Sequence, residues 1–231
     1  MVNKSFVIYG ERNSGTNFLE TLITGQSYHL SHNIAAFDIP VINSSTKQYF
    51  RSDYGHKHFF GFHDEEIKTA SNVIFIGIVR NPYDWIMGLS RALHHIPTEN
   101  HDIISFLTNE WYSIQHNKES TNYQKEIFRD RDFCTGLRYK NIFAMRNKKL
   151  SYLHNTMPAI AENYEFIRYE DLCQDPWSIV TRWSKKYNLP LNMPILQPIK
   201  KEPHHIEPEI EQIINEGIDW DIENCVGYYK K

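Results

Sequence analysis

The sequence predicts an α/β protein with a parallel central sheet flanked by helices. Three observations predict it. Short β-prone runs alternate with stretches of helical spacing, and the links between the runs are too long for hairpins. The run at 73–79, Val-Ile-Phe-Ile-Gly-Ile-Val, is apolar on both faces, as a strand covered from either side must be. With 231 residues and 41% hydrophobic content, the chain can bury a sizeable core and fits one domain over 1–231.

Phe6 to Tyr9 form the first β-prone run, and Phe18, Leu19, Leu22 and Ile23 then recur at helical spacing up to Gly25. Residues 26–54 are polar and turn-rich and read as a loop at the mouth of a site. A second strand is expected at 54–62, with Asp64, Glu65 and Glu66 opening a helix after it. The central strand at 73–79 ends in Arg80-Asn81-Pro82, and Pro82 suits the first position of a helix running to about His94. Two or three helices are expected in 100–160, a further strand at 164–168, and a turn at 169–172. Asp175-Pro176 caps a helix through about Asn188, prolines 190 to 203 mark an extended segment, and 208–217 is helical.

The loop joining the first strand to the first helix carries the chemistry. Backbone N–H groups wrapped before a helix, with that helix's positive end, form an anion site. The spacing Gly10-x-x-x-x-Gly15 is that of a Walker A loop, but Thr16 and Asn17 stand where a nucleotide triphosphatase needs Lys and Ser/Thr. The central strand ends in Arg80, where a Walker B strand would carry a metal-binding Asp. A phosphate-bearing ligand whose reaction needs no metal is the consequent expectation, with an ordinary strand-to-helix turn as the alternative. Because ligands of such sheets bind beyond the strands' carboxyl ends, Asn13, His58 and Arg80 point to one crevice.

The net charge of −3 and the absence of cationic runs longer than pairs argue against a nucleic-acid partner. Cys134, Cys173 and Cys225 are odd in number and outside metal-ligand spacing, which suits a reducing compartment. No apolar run approaches a membrane span and the first strand begins near Met1, so a cytoplasmic protein without membrane attachment is expected. His56, His58, His63 and Asp64, or His94, His95 and His101, fit no strong zinc pattern, and no metal site is expected.

Three segments, in order, resemble the sulfotransferases that use 3′-phosphoadenosine-5′-phosphosulfate (PAPS). Arg12-Asn13-Ser14-Gly15-Thr16-Asn17 resembles their 5′-phosphosulfate loop, Val79 to Trp85 their 3′-phosphate segment, and Phe166 to Leu172 their Tyr-Glu-Asp-Leu strand end. The resemblance implies a P-loop-like sulfotransferase architecture and sulfuryl transfer from PAPS to a hydroxyl or amine of a small-molecule or carbohydrate acceptor. It implies that Arg12, Asn13, Ser14, Gly15, Thr16 and Asn17 hold the 5′ side and that Arg80 with Ser90 holds the 3′-phosphate. The family's base falls on His58, an imidazole able to accept a proton at neutral pH. The family's loop cation falls on Asn13, so Arg12 or Lys57 is expected to supply that charge. Gly88 stands where the family has a serine, Ser90 being near it, and the Arg-Lys-Gly motif of the cytosolic branch is not visible. A P-loop nucleotide kinase and a non-catalytic nucleotide-binding protein are the competing expectations.

Overall fold

A computed structural model describes residues 4–25, 35–37, 39–43, 53–116, 121–192 and 204–231. Most of the expected loop at 26–54, and Pro194, Pro198 and Pro203, lie outside them. The described residues form a three-stranded parallel sheet ordered β1 (Ser5–Tyr9), β2 (Val73–Val79), β3 (Tyr164–Arg168), so the apolar 73–79 run is the central strand. The register sets Tyr9 beside Gly77 and Val79 beside Arg168, which brings the carboxyl ends of all three strands to one edge.

The chain divides into two compact units, Met1–Arg80 with Met157–Glu202, and Asn81–Thr156 with Pro203–Lys231. The first holds the sheet, α1 (Thr16–Thr24), α2 (Asp64–Lys68), α6 (Met157–Ile160), α7 (Tyr169–Gln174) and α8 (Pro176–Tyr187). Alternation along the strands sorts their side chains. Phe6, Ile8, Ile74, Ile76, Ile78 and Ile167 join Leu19, Ile23, Leu172, Val180 and Trp183 in one buried cluster. On the opposite face Tyr9 meets Phe60 and Phe75 at centroid distances of 5.3 and 6.1 Å. The outer edge of β1 is paired by 40–43: Phe6 N–H donates to the Pro40 carbonyl, and the Asn43 side chain bonds both backbone groups of Ile8. Asp175 caps α8 by accepting from the Ser178 amide, and Asn188 ends that helix in a left-handed conformation.

The second unit holds α3 (Pro82–Ser90), α4 (Ile103–Thr108), α5 (Ile142–Ser151), α9 (Pro208–Gly217) and α10 (Trp220–Cys225) around Trp85, Leu89, Phe106, Trp111, Phe143 and Ile214. Arg146 of α5 lies under the Trp85 ring and makes two bonds, 2.7 and 3.0 Å, to Glu223 of α10; both side chains are fully buried. Each charge therefore depends on the other for its solvation.

Three expectations are corrected. Residues 54–62 are not a strand: Gly55 and Gly61 take positive φ, and Phe59 N–H closes a tight turn on the His56 carbonyl. Residues 169–172 open a helix rather than a turn, and α3 ends at Ser90, with a 3₁₀ turn at Leu93–His95. Among the described residues no helix is long and apolar enough to cross a membrane.

Candidate functional site

Both glycines of the loop are required by contact. A Cβ on Gly10 would sit 2.6 Å from Ser14 Oγ and 2.7 Å from the Ile78 carbonyl oxygen, because the loop leaves β1 flat against β2. Ser14 is buried and donates both its amide (3.1 Å) and its hydroxyl (2.7 Å) to the Glu11 carbonyl, closing the loop on itself. Gly15 adopts φ +98°, and a Cβ there would lie 2.2 Å from the Tyr169 ring. Asn13, where the PAPS family carries its cation, adopts φ 62°, a left-handed conformation that asparagine tolerates better than a long side chain does. No side chain caps α1, so its first-turn amides stand at the helix's positive end, beside the loop.

The 53–62 turn is fastened to the same place. The Gly10 amide donates to the Lys57 carbonyl (3.0 Å), and His58 Nδ1–H donates to the Gly10 carbonyl (2.7 Å). That bond puts the lone pair of the neutral imidazole on Nε2. Burial, then the charges of Arg12, His56 and Lys57, hold the His58 pKa well below the ordinary imidazole value. Here the structure departs from the expected ordinary pKa: the ring is uncharged at neutral pH and a weaker base than free imidazole.

Lys57, 1% exposed, extends its ammonium to Asn17 Oδ1 (2.6 Å) and Glu20 Oε2 (2.9 Å) of α1. Burial lowers its pKa, and the Glu20 carboxylate opposes that shift. Arg12 lies over the Phe59 ring at 5.3 Å. Arg80, at the end of β2, donates to the Asn13 carbonyl (3.4 Å) and lies over the Tyr169 ring (5.3 Å). The first unit thus gathers Arg12, Asn13, Ser14, Gly15, Thr16, Asn17, Lys57, His58 and Arg80 at the strands' carboxyl ends. Ser90 belongs to the second unit, where its hydroxyl donates to the Met87 carbonyl (3.2 Å).

Two residues join this cluster beyond the expected set: Glu20, and Tyr169 of the Tyr-Glu-Asp-Leu segment, whose contact with the loop the sequence does not reveal. Glu20 follows Leu19 and precedes Ile23 on the buried stripe of α1, and a carboxylate in that register needs a buried cation. Tyr169 sits directly after β3 and covers Gly15, a position that the parallel register marks once β2 and β3 are aligned. Among the described residues no group of three or more His, Cys, Asp or Glu is arranged to hold a metal ion.

No protein-family model matches the chain, and no curated protein is significantly similar to it. Fold and site therefore define the class: an α/β protein with a parallel sheet flanked by helices and a cationic, glycine-bounded strand–loop–helix at its carboxyl edge.

Proposed function

We propose that the chain is a sulfotransferase of P-loop-like architecture, moving a sulfuryl group from PAPS to a hydroxyl or amine of a small-molecule or carbohydrate acceptor without a metal ion. The reading is carried by one convergence: an uncapped helix start, three cations and a neutral histidine meet where the strands end. The two glycines let the loop close tightly, Gly10 against Ile78 and Ser14 and Gly15 against the Tyr169 ring, which supports a compact anion-binding turn before α1. PAPS, when bound, supplies the activated sulfuryl group and a phosphate that leaves with its charge. The amides of Gly15 to Asn17 and the Arg12 guanidinium bind the 5′ side, where negative charge grows during transfer, while Ser14, whose amide and hydroxyl both bond the Glu11 carbonyl, shapes the loop.

Arg80, steadied by Asn13 and Tyr169, binds the 3′-phosphate. His58 takes the acceptor proton on Nε2. Its low basicity arises partly from Arg12 and Lys57, so an anion in the cradle offsets those charges and strengthens the base when the donor is in place. Cys134, Cys173 and Cys225 form no disulfide, which supports a cytoplasmic setting. A non-catalytic nucleotide-binding protein is the second reading, favoured by Asn13 at the family's cation position. A kinase is disfavoured because Asn17 Oδ1, at the metal-binding position of a Walker A loop, is engaged by Lys57.

Titration calorimetry with 3′-phosphoadenosine-5′-phosphate, 5′-AMP and ATP, in EDTA and in Mg²⁺, tests the assignment. The bisphosphate should bind best and equally in both buffers. Equal binding of 5′-AMP, or a strict Mg²⁺ requirement, would refute a PAPS site. Donor binding without sulfuryl transfer to any of a broad acceptor panel would select the second reading.

A further inference from the structure

We infer that Lys57 is a positioning residue of the anion cradle, acting through Asn17: its ammonium fixes the Asn17 side-chain amide so that the NH₂ group, and not the oxygen, meets the bound anion. Asn17 Oδ1 accepts from Lys57 Nζ at 2.6 Å. A lysine ammonium donates and cannot accept, so only the oxygen of the amide can face it, and the chemistry of the partner settles which end is which. Oδ1 and Nδ2 diverge from one carbon, so Nδ2 turns away from Lys57. Asn17 is exposed, in the first turn of α1 beside amides that no side chain caps. Among the described residues its Nδ2 makes no hydrogen bond.

The anchor that holds the amide is itself held. Lys57 is 1% exposed, its ammonium also donates to Glu20 Oε2 at 2.9 Å, and its carbonyl accepts from the Gly10 amide at 3.0 Å, which ties its turn to the loop's first glycine. An ammonium paired with a carboxylate brings the anion no net charge; what it brings is direction. An untethered asparagine amide can present either end to a ligand, whereas one whose oxygen is taken presents only its donor. Beside the α1 amides the cradle thus carries a neutral N–H donor whose ordering is complete before the anion arrives. The inference rests on the proposed function only in that the loop holds an anion, and not on which nucleotide carries it.

The test is a double-mutant cycle on binding. Calorimetry with inorganic phosphate and with 3′-phosphoadenosine-5′-phosphate compares wild type, Asn17→Ala, Lys57→Met and the double variant, with circular dichroism checking the fold. Asn17→Ala removes the donor and should weaken both ligands by about 10- to 100-fold, as loss of a hydrogen bond to a charged group does. Lys57→Met leaves the amide in place but free to turn, and should weaken them by about 2- to 10-fold, the ordering of one side chain. In the Asn17→Ala background it should change nothing. The Asn17 NH₂ resonances, assigned by their absence from Asn17→Ala, should move when phosphate is added to wild type. An Asn17→Ala affinity within about twofold of wild type overturns the inference. So does a Lys57→Met loss of equal size in both backgrounds, the result of direct contact between the ammonium and the anion, or no loss from Lys57→Met at all. If Lys57→Met does not fold, Asn17→Asp decides. It keeps one oxygen for Lys57 and sets another where the NH₂ stood, so it should bind phosphate more weakly than Asn17→Ala, and equal or tighter binding overturns the inference. An Asn17→Ala variant that binds as wild type does, with the bisphosphate still preferred to 5′-AMP, sinks this inference alone. The expected cycle with phosphate, without preference for the bisphosphate, sinks the PAPS reading and leaves Lys57 as the positioning residue.

Discussion

Gly15→Ala loads two distinct costs onto one atom. At φ +98° a Cβ meets its own backbone, a penalty of about 1–2 kcal/mol for a left-handed L-residue. The same Cβ falls 2.2, 2.7 and 3.1 Å from three atoms of the Tyr169 ring, which is buried and carries Arg80 on its face, so the ring must shift. Over-packing of this kind costs about 1–3 kcal/mol. Together they predict a loss of about 2–5 kcal/mol, a large share of the roughly 5–15 kcal/mol that holds a domain folded. Urea unfolding of Gly15→Ala in the wild-type and Tyr169→Ala backgrounds separates the two costs. Without the ring, the backbone strain of about 1–2 kcal/mol should remain and the clash should vanish, giving a coupling of about 1–3 kcal/mol. The same loss in both backgrounds would refute the packing of Tyr169 on the loop, and a loss below about 0.5 kcal/mol would refute the left-handed glycine as well.

Three further predictions concern His58 and Arg80. The pKa of His58 is lower in the folded chain than in the unfolded one, so below about pH 6.5 the unfolded state binds more protons. Its contribution is intact above that pH and is lost on acidification, with a slope of at most about 1.4 kcal/mol per pH unit. His58→Gln should flatten the stability profile of wild type between pH 6.5 and 5, and an unchanged slope there would count against it. If His58 is the base, the same variant should lower turnover by about 10²- to 10⁴-fold and abolish an acid limb lying below pH 6.5. Arg80→Ala should weaken the bisphosphate by about 1.5–3 kcal/mol and 5′-AMP far less. Calorimetry showing equal losses for both ligands would remove Arg80 from the 3′-phosphate.

Much of the fold was legible because it is written in local signals. The apolar run at 73–79 became the central strand, Gly25 ended α1, Pro82 opened α3, and Asp175 capped α8. The 54–62 turn was misread for a physical reason. Its Phe59, Phe60 and Phe62 carry β propensity, but Gly55 and Gly61 at positive φ and the burial of Lys57 decide the path instead. The pairing of Lys57 with Glu20 joins residues far apart in sequence, and no periodicity encodes it. The depressed basicity of His58 likewise depends first on its burial and then on Arg12, both of which only folding supplies, beside its sequence neighbours His56 and Lys57. Asn13 had looked like a lost cation, and its φ of 62° gives a backbone reason for asparagine there.

The order in which the two units use the chain bears on how a ribosome can deliver it. β1 and β2 emerge early, but β3 and α8, which complete their sheet and its buried cluster, follow the whole 81–156 stretch of the other unit. That stretch in turn carries the Arg146 guanidinium, whose carboxylate partner, Glu223, is synthesised only after β3 and α8. A nascent chain therefore exposes an edge of β2 until β3 emerges and an arginine without its Glu223 partner until α10 emerges, the condition in which collapsed intermediates become prone to aggregate. Neither unit can finish before the other has begun, so the two folding steps are interleaved along the chain.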